Sequence, residues 1–262
     1  MLTQITQHLE DHPWRDKIQY FGSIDSTNNY AKKIAAGGAP SGSVVIAGQQ
    51  TAGRGRLGRS FSSPANMGLY LSVILRPDCC PTDLMHLTCA AGVAACEAVE
   101  DATGISPKIK WTNDLILGKQ KLGGILTELL VDPVSQKVAW VIIGIGINCC
   151  QQSHDFPEEI RHIACSLNIS CNDVPVLAAS LIKSLRRMDE TLLSQKDAIL
   201  TRFAQRCITI GSEISVVRGD DVRHGLAVGI DADAALIVAY PDSSIEVVSS
   251  GEVSIRGMYG YL

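Results

Sequence analysis

The sequence predicts an α+β fold in which a mixed or antiparallel sheet packs against helices, followed by a small β-barrel. Between residues 108 and 148, β-rich runs are joined by short turns, unlike the long crossovers of βαβ units. From residue 208 onward, short β-type runs recur every eight to ten residues, a spacing typical of a barrel of roughly five strands. We therefore expect two domains, residues 1–207 and residues 208–262.

The residue pattern between residues 26 and 104 predicts two helices separated by two strands. Ser26 begins a helix that ends at Gly37, because serine caps a helix start and glycine relieves the backbone at a helix end. Residues 43–49 and 69–75 are short runs rich in β-forming side chains. Residues 82–104 carry apolar and small side chains at helical spacing, so we expect this helix to be part of the core.

Three β-rich runs and two further helices complete the first predicted domain. Turn residues separate the runs, as at Asp132-Pro133. Asp173 is expected to cap the next helix, which carries Pro175 in its first turn. Its apolar side chains form a stripe that we expect to be buried in the core. The three runs are residues 108–111, 114–130 and 137–148, and the last helix covers residues 197–207.

Composition excludes several classes of protein. Of the 262 residues, 46% are hydrophobic and 19% are charged, as in a soluble globular protein. The net charge of −4 argues against a broad surface for DNA, RNA or an anionic membrane, since such binding depends on summed positive charge. No apolar run is long enough to span a membrane and the N-terminus lacks the apolar centre of a signal peptide, so a cytoplasmic location is expected. The nine cysteines are odd in number and lack zinc spacing, which favours reduced thiols.

A basic stretch stands out in this acidic chain: Gly53 to Arg59 contains three arginines and three glycines. It resembles a phosphate-binding P-loop with Arg59 in place of lysine, but Pro64 and Gly68 interrupt the helix that a P-loop requires. RNA-binding arginine–glycine tails are repeated and disordered, whereas this stretch is single and lies between two strands. A solvent-exposed loop without a binding role remains an alternative. Arginines that bind carboxylate or phosphate, on a glycine-rich loop that closes over a ligand, are the functional interpretation.

Two further clusters add charge and flexibility. Residues 110–114 (KWTND) combine a cation, a flat side chain, an amide and a carboxylate, and residues 121–125 place a lysine beside two glycines. Residues 144–148 (GIGIN) lack the third glycine of a dinucleotide-binding fingerprint, which argues against a Rossmann oxidoreductase. Each cluster alone fits an ordinary hairpin rim. Together they predict a site for an anionic ligand and a nucleotide, with one carboxylate able to hold Mg²⁺.

Five motifs in this order closely resemble those of biotin–protein ligases, the bacterial enzymes that attach biotin to the carrier protein of acetyl-CoA carboxylase. The motifs are STN (26–28), QTAGRGRLGR (50–59), KWTND (110–114), KLGGIL (121–126) and GIGIN (144–148). The resemblance extends from about residue 18 to the end, where GLAVGID (225–231) and GEVSIRG (251–257) resemble the family's SH3-like barrel. It implies a class II synthetase-like catalytic domain. Since the chain begins close to that domain, we expect a form without the DNA-binding domain of the repressor members.

The resemblance implies a two-step reaction that uses ATP, biotin and Mg²⁺. Biotin's carboxylate attacks the α-phosphate of ATP to give biotinyl-5′-AMP and pyrophosphate. A lysine of the biotin carboxyl carrier protein then attacks the mixed anhydride. The resemblance leaves a homodimer open, and it predicts no DNA or membrane partner. A lipoate or octanoate ligase and a non-catalytic biotin-sensing or RNA-binding module are the rival functions.

Site residues are carried over from the matching motifs. The resemblance implies catalytic roles for Lys121, Arg56 and Asp114, with Asp114 also the metal ligand. Biotin-binding residues would be Ser26, Thr27, Asn28, Gln50, Gly53, Arg54, Gly55, Arg56, Lys121, Gly123 and Gly124. Nucleotide-binding residues would be Arg54, Arg56, Arg59, Phe61, Lys110, Trp111, Asn113 and Asn148.

Two positions depart from the family pattern. Phe61 stands where most members carry tryptophan, which keeps a flat apolar face but loses the indole N–H. Thr112 stands where most members carry proline, so the backbone is less constrained there. Neither change removes a charge, and we expect altered affinity before altered chemistry.

Overall fold

The computed structural model describes residues 1–218, 220–249 and 252–255, and its strands form two sheets. The first sheet has seven strands in the order β1-β2-β3-β7-β6-β5-β4. Only β1 and β2 pair in parallel among its neighbours, which confirms the predicted mixed sheet. Its strands are β1 (Ile18–Phe21), β2 (Ser43–Ala47), β3 (Gly68–Leu75), β4 (Lys108–Lys110), β5 (Asp114–Leu117), β6 (Gln120–Val131) and β7 (Val138–Asn148).

Helices cover both faces of this sheet. The helices are α1 (Leu2–Gln7), α2 (Thr27–Ala36), α3 (Leu87–Thr103), α4 (Val174–Thr191) and α5 (Lys196–Arg206). Side chains of α1, α3, α4 and α5 form one large apolar core with the sheet, while Ala31 and Ala35 of α2 pack on the opposite face. Strand β3 is buried along its whole length, since apolar side chains on both of its faces meet a packed layer.

The observed helix starts agree with the predicted ones, with two differences. The Ser26 hydroxyl accepts a hydrogen bond from the Asn29 N–H at 3.5 Å, as a cap of α2 should. Helix α3 begins later than the predicted residue 82, because Pro81–Leu84 forms a separate 3₁₀ turn. Asp173 occupies the cap position of α4, but its carboxylate accepts no capping hydrogen bond.

The second sheet is a small antiparallel sheet with five strands, as expected. Their spatial order is β11-β10-β9-β8-β12. The strands are β8 (Glu213–Arg218), β9 (Asp221–Ile230), β10 (Leu236–Ala239), β11 (Ile245–Val248) and β12 (Glu252–Ile255). Residues 256–262, which the sequence assigns to the second domain, lie outside the described residues.

Trp111, which follows β4, connects the first sheet to residues that flank strands of the second sheet. Its indole Nε1 donates to the carbonyl oxygen of Ala234 at 2.8 Å, and its backbone N–H donates to Thr209 Oγ1 at 2.9 Å. The Ile208 N–H also donates to the Ile109 carbonyl oxygen at 2.9 Å. The end of β4 is therefore held by residues beyond the predicted boundary at residue 207. None of the helices in the described ranges is long and apolar enough to cross a membrane.

Candidate active site

Most of the predicted site residues line one pocket, between the start of α2, the arginine–glycine loop (residues 53–60) and strands β5 to β7. Residues from all five sequence motifs are thereby brought together. The predicted residues in its lining are Ser26, Thr27, Asn28, Gln50, Arg54, Gly55, Arg56, Arg59, Phe61, Lys110, Trp111, Asn113, Asp114, Lys121 and Gly124.

One wall of the pocket is a fixed network of polar side chains. The backbone N–H and the hydroxyl of Thr27 both donate to Gln50 Oε1, at 2.9 and 3.1 Å. Gln50 Nε2 in turn donates to Ser63 Oγ at 2.9 Å. Ser26, Thr27 and Asn28 are all buried. The wall is therefore pre-organised, because the amide of Gln50 is oriented by partners on both sides.

Asn28 is held by residues that the sequence analysis missed. Its Nδ2 donates to the Leu126 carbonyl oxygen at 3.3 Å and to Glu128 Oε2 at 2.9 Å. The Ser72 hydroxyl lies 2.6 Å from Asn28 Oδ1 and 2.8 Å from Thr27 Oγ1. A lone serine in the apolar run of β3 was the one sequence signal for this contact.

The floor of the pocket depends on two glycines of β7, which the sequence analysis noted only as part of GIGIN. A Cβ on Gly144 would collide with the Asn28 side chain, and one on Gly146 would collide with the Phe61 ring. Both side chains therefore lie directly on the strand. Apolar residues of β6 and β7 complete the floor, and the loop adds two more lining residues. These unpredicted lining residues are Ile125, Leu126, Ile145, Leu57 and Ser60.

The arginine–glycine loop is closed by its own backbone. The Gly55 N–H donates to the Arg59 carbonyl oxygen at 2.7 Å, and the Phe61 N–H donates to the Gly53 carbonyl oxygen at 2.9 Å. At the tip, Gly58 has φ +75°, a conformation that glycine adopts without a Cβ clash. Leu57 at the tip is 75% exposed. The arginines thus project from a short turn that contributes little to the core.

Arg54 contacts a carboxylate that the sequence analysis did not single out. Its guanidinium donates to Asn29 Oδ1 at 3.0 Å and lies 3.3 Å from Glu128 Oε1. Lys32 Nζ lies 2.9 Å from the same oxygen. Burial raises the pKa of the Glu128 carboxyl, but hydrogen bonds from Lys32 and Asn28 outweigh it, so the pKa falls below its ordinary value. Glu128 therefore joins the loop, α2 and the buried wall through one negative charge.

Arg56 joins the loop to the KWTND segment. Its Nη1 donates to Thr112 Oγ1 at 3.1 Å and to Asn113 Oδ1 at 3.0 Å. The Asn113 amide nitrogen lies 3.2 Å from Asp114 Oδ1 and 3.3 Å from the Ile125 carbonyl oxygen. The guanidinium is therefore held at the pocket by side chains of a segment that is itself bonded to β6.

One end of the pocket contains an ion pair on adjacent strands. Lys121 Nζ lies 2.6 Å from Asp114 Oδ1. Gly124 pairs with Asp114 across β5 and β6, and a Cβ there would lie 3.6 Å from the lysine nitrogen. Lys110, which pairs with Asp114 across β4 and β5, is buried with only 4% of its surface exposed. The positive charges outnumber the carboxylate, so this end of the pocket attracts anions.

Three predicted residues lie outside this lining. Asn148 is buried, and its amide bonds the Cys165 carbonyl oxygen at 2.9 Å and Gln151 at 3.2 Å. Side chains at Gly123 and Gly53 would collide with the Gly146 and Phe61 carbonyl oxygens, respectively. All three positions therefore support the close packing around the pocket. Their assignment to ligand contacts stays a prediction.

Comparison with known proteins decides the family. Residues 20–148 match the biotin/lipoate A/B protein ligase family, and residues 209–256 match the biotin protein ligase C-terminal domain. The bifunctional ligase/repressor BirA of Bacillus subtilis is 33% identical over 240 residues, which cover 90% of this chain and 73% of that protein. This chain belongs to the biotin protein ligase family.

Further relatives of the ligase agree with this assignment. The biotin–[acetyl-CoA-carboxylase] ligase of Mycobacterium tuberculosis is 32% identical over 250 residues, covering 92% of this chain and 89% of the relative. The structure of the Aquifex aeolicus biotin protein ligase in complex with biotin and ATP superposes with a TM-score of 0.74 at 26% identity. That comparison covers 91% of this chain and 98% of the A. aeolicus chain. The expected family and fold class are confirmed.

Proposed function

We propose that this ligase joins biotin to ATP in the described pocket and transfers the biotinyl group to a lysine of a biotin carboxyl carrier protein. In the first step a biotin carboxylate oxygen bonds the α-phosphorus and pyrophosphate leaves. In the second step the lysine nitrogen bonds the carboxyl carbon, AMP leaves, and the lysine releases a proton. The observation that carries the proposal is that one pocket joins a fixed polar wall to a cationic end.

Biotin would lie along the pocket, with its head group at the polar wall. Ser26, Thr27, Asn28 and Gln50 offer donors and acceptors whose orientations are already set. Ile125, Ile145 and the Phe61 ring provide apolar surface for the valeryl chain. An uncharged bicyclic head group followed by an alkyl chain matches this order of surfaces. A pre-organised site loses little conformational entropy on binding.

The carboxylate and the α-phosphate would meet at the cationic end. Two anions repel one another, so cations fixed before the reaction lower the barrier without reorganising during it. Arg56 and Lys121 are the groups proposed to contact the reacting carboxyl and phosphoryl oxygens, with Lys110 adding buried charge. Asp114 would hold the Lys121 ammonium in place through the 2.6 Å ion pair. Holding both reactants in one pocket supplies much of the remaining acceleration.

Magnesium would be held chiefly by the nucleotide. The described residues contain no group of three or more His, Cys, Asp or Glu side chains that could hold a metal ion. Asp114 offers a single carboxylate, which fits Mg²⁺ because this ion commonly takes one or two protein carboxylates together with phosphate oxygens. When bound, the ion would neutralise charge on the triphosphate. We also propose a cytoplasmic location, where ATP is available.

The test is pyrophosphate release by the purified protein with ATP, Mg²⁺ and either biotin, lipoate or octanoate, followed by transfer of labelled acid to a carrier domain. We expect release and transfer with biotin. Lys119→Ala is the matched control variant, since Lys119 is exposed and lies in the same hairpin as Lys121. The matched family also includes lipoate ligases. Release with lipoate but not with biotin would overturn the proposal.

A further inference from the structure

The Thr112 hydroxyl is the feature of the site that the proposed reaction leaves unused. Thr112 is absent from the lining of the biotin and ATP pocket, and it lies instead at a neighbouring cleft between α3, β6 and the second sheet. Its Oγ1 accepts a hydrogen bond from Arg56 Nη1 at 3.1 Å. Arg56 lines both the pocket and the cleft. The hydroxyl therefore reaches the pocket only through this arginine.

Thr112 is presented from a segment that is fixed on both sides. Before it, Trp111 is bonded through its backbone N–H to Thr209, which precedes β8, and through its indole to Ala234, in the turn between β9 and β10. After it, the Asn113 amide bonds Asp114 and the backbone of β6. Threonine is also stiff about χ1, because both of its branches lie at Cβ. The hydroxyl thus offers a firmly placed acceptor to an arginine that projects from an exposed loop.

Asn113 and Thr112 share the guanidinium but differ in what else they do. The Asn113 amide also contacts the carboxylate of the Lys121 ion pair. In the described structure the Thr112 hydroxyl has Arg56 as its hydrogen-bond partner. Thr112 is therefore the position at which one of the two hydrogen bonds that hold Arg56 to this segment can be removed without changing the Lys121–Asp114 ion pair.

We propose that Thr112 is a positioning residue, whose hydroxyl holds the Arg56 guanidinium at the pocket so that biotinyl-5′-AMP is retained until the carrier lysine arrives. The proposal rests on the proposed function, in which Arg56 contacts the adenylate. An arginine already oriented loses fewer rotamers when it binds phosphate. The contribution of the hydroxyl should therefore be seen in adenylate release more than in biotin binding.

The test compares Thr112→Val, which keeps the shape but removes the acceptor, with Thr112→Ser, which keeps the hydroxyl. We expect biotinyl-5′-AMP to leave the Val variant about fivefold faster, as expected for loss of one hydrogen bond, and the Ser variant to retain it like wild type. The dissociation constant for biotin alone should change less than about twofold, within ordinary surface effects. Thr88→Val is the matched control, because Thr88 lines the same cleft but its hydroxyl contacts Thr127 at 2.7 Å.

A double variant separates positioning from a general structural effect. If Thr112 acts through Arg56, adding Thr112→Val to Arg56→Gly should not speed release beyond Arg56→Gly alone. An additive increase would overturn the proposal, and so would wild-type retention by the Val variant. A wild-type protein that releases no pyrophosphate with biotin and ATP would overturn the proposed function itself, and the positioning role with it. Melting temperatures of all variants identify any loss of folding.

Discussion

Replacing Glu128 by glutamine removes the negative charge that joins the loop, α2 and the buried wall. The side chain is 23% exposed and lies 2.9 Å from Lys32 Nζ and 3.3 Å from an Arg54 nitrogen. Hydrogen bonds to charged groups contribute about 1.5–3 kcal/mol when buried, whereas exposed pairs contribute about 0–1 kcal/mol. Both cations can be rehydrated, so we expect Glu128→Gln to lower the free energy of unfolding by about 1.5 kcal/mol.

Two measurements at pH 7 check this value. For a chain of this size the melting temperature should fall by about 3–6 °C. The dissociation constant for biotin should rise about fivefold, since Asn28 loses a charged acceptor at the polar wall. Glu190→Gln is the control, because Glu190 also pairs with an arginine, at 2.7 Å, but is 52% exposed. The control should cost about 0.5 kcal/mol or less.

The pH dependence gives an independent check. The pKa of Glu128 is lowered in the folded protein, so its stabilisation is fully present above the usual value of 4.5 and is lost as pH falls through the folded pKa. The difference in the free energy of unfolding between wild type and Glu128→Gln should therefore shrink as the pH falls below 4.5 and through the folded pKa of Glu128. An unchanged melting temperature and biotin affinity at pH 7, or a difference that grows in acid, would refute the reasoning.

Three further substitutions test other parts of the pocket. Ser72→Ala should cost about 1–2 kcal/mol in urea unfolding and weaken biotin binding measured by calorimetry, because Asn28 loses a buried partner; unchanged values would contradict its role in the wall. Gly144→Ala should lower stability by about 1–3 kcal/mol and biotin affinity together, since the new methyl collides with Asn28; wild-type affinity in titration calorimetry would count against this geometry. Lys121→Ala should slow pyrophosphate release more than it weakens biotin binding, while Lys119→Ala changes neither; equal losses in both would exclude a transition-state role.

The sequence could predict the fold class because its signals are local. Strand runs, turn residues and apolar helical spacing each depend on a few neighbouring positions, and the mixed sheet follows from them. The start of α3 was placed too early because Pro81–Leu84 forms a 3₁₀ turn with the same apolar spacing. Asp173 has the residue type of a cap without the hydrogen bond, since residue type does not fix side-chain orientation.

The candidate site was predicted in part, for a physical reason. Residues grouped in motifs, such as Lys110 to Asp114, carry chemistry at adjacent positions and are visible in one sequence. Glu128 and Ser72 act through partners that lie far away along the chain, including Asn28 for both. A single polar residue in an apolar strand also fits a solvent-facing position, and only the packing of α2 on the sheet shows otherwise. Asn148 has the residue type of a ligand contact, and its amide bonds Cys165 and Gln151 in the described structure, so its ligand contact stays a prediction.

The indole hydrogen bond of Trp111 makes the second sheet part of the scaffold of the active site. Removing residues 208–262 would take away both acceptors of Trp111 and leave the segment that holds Arg56 fixed on its Asn113 side alone. The small sheet cannot swing away as a rigid appendage without breaking this bond. A macromolecule that displaces the turn at Ala234 would therefore move Trp111, and through the adjoining Thr112 it would change the position of the Arg56 guanidinium in the pocket.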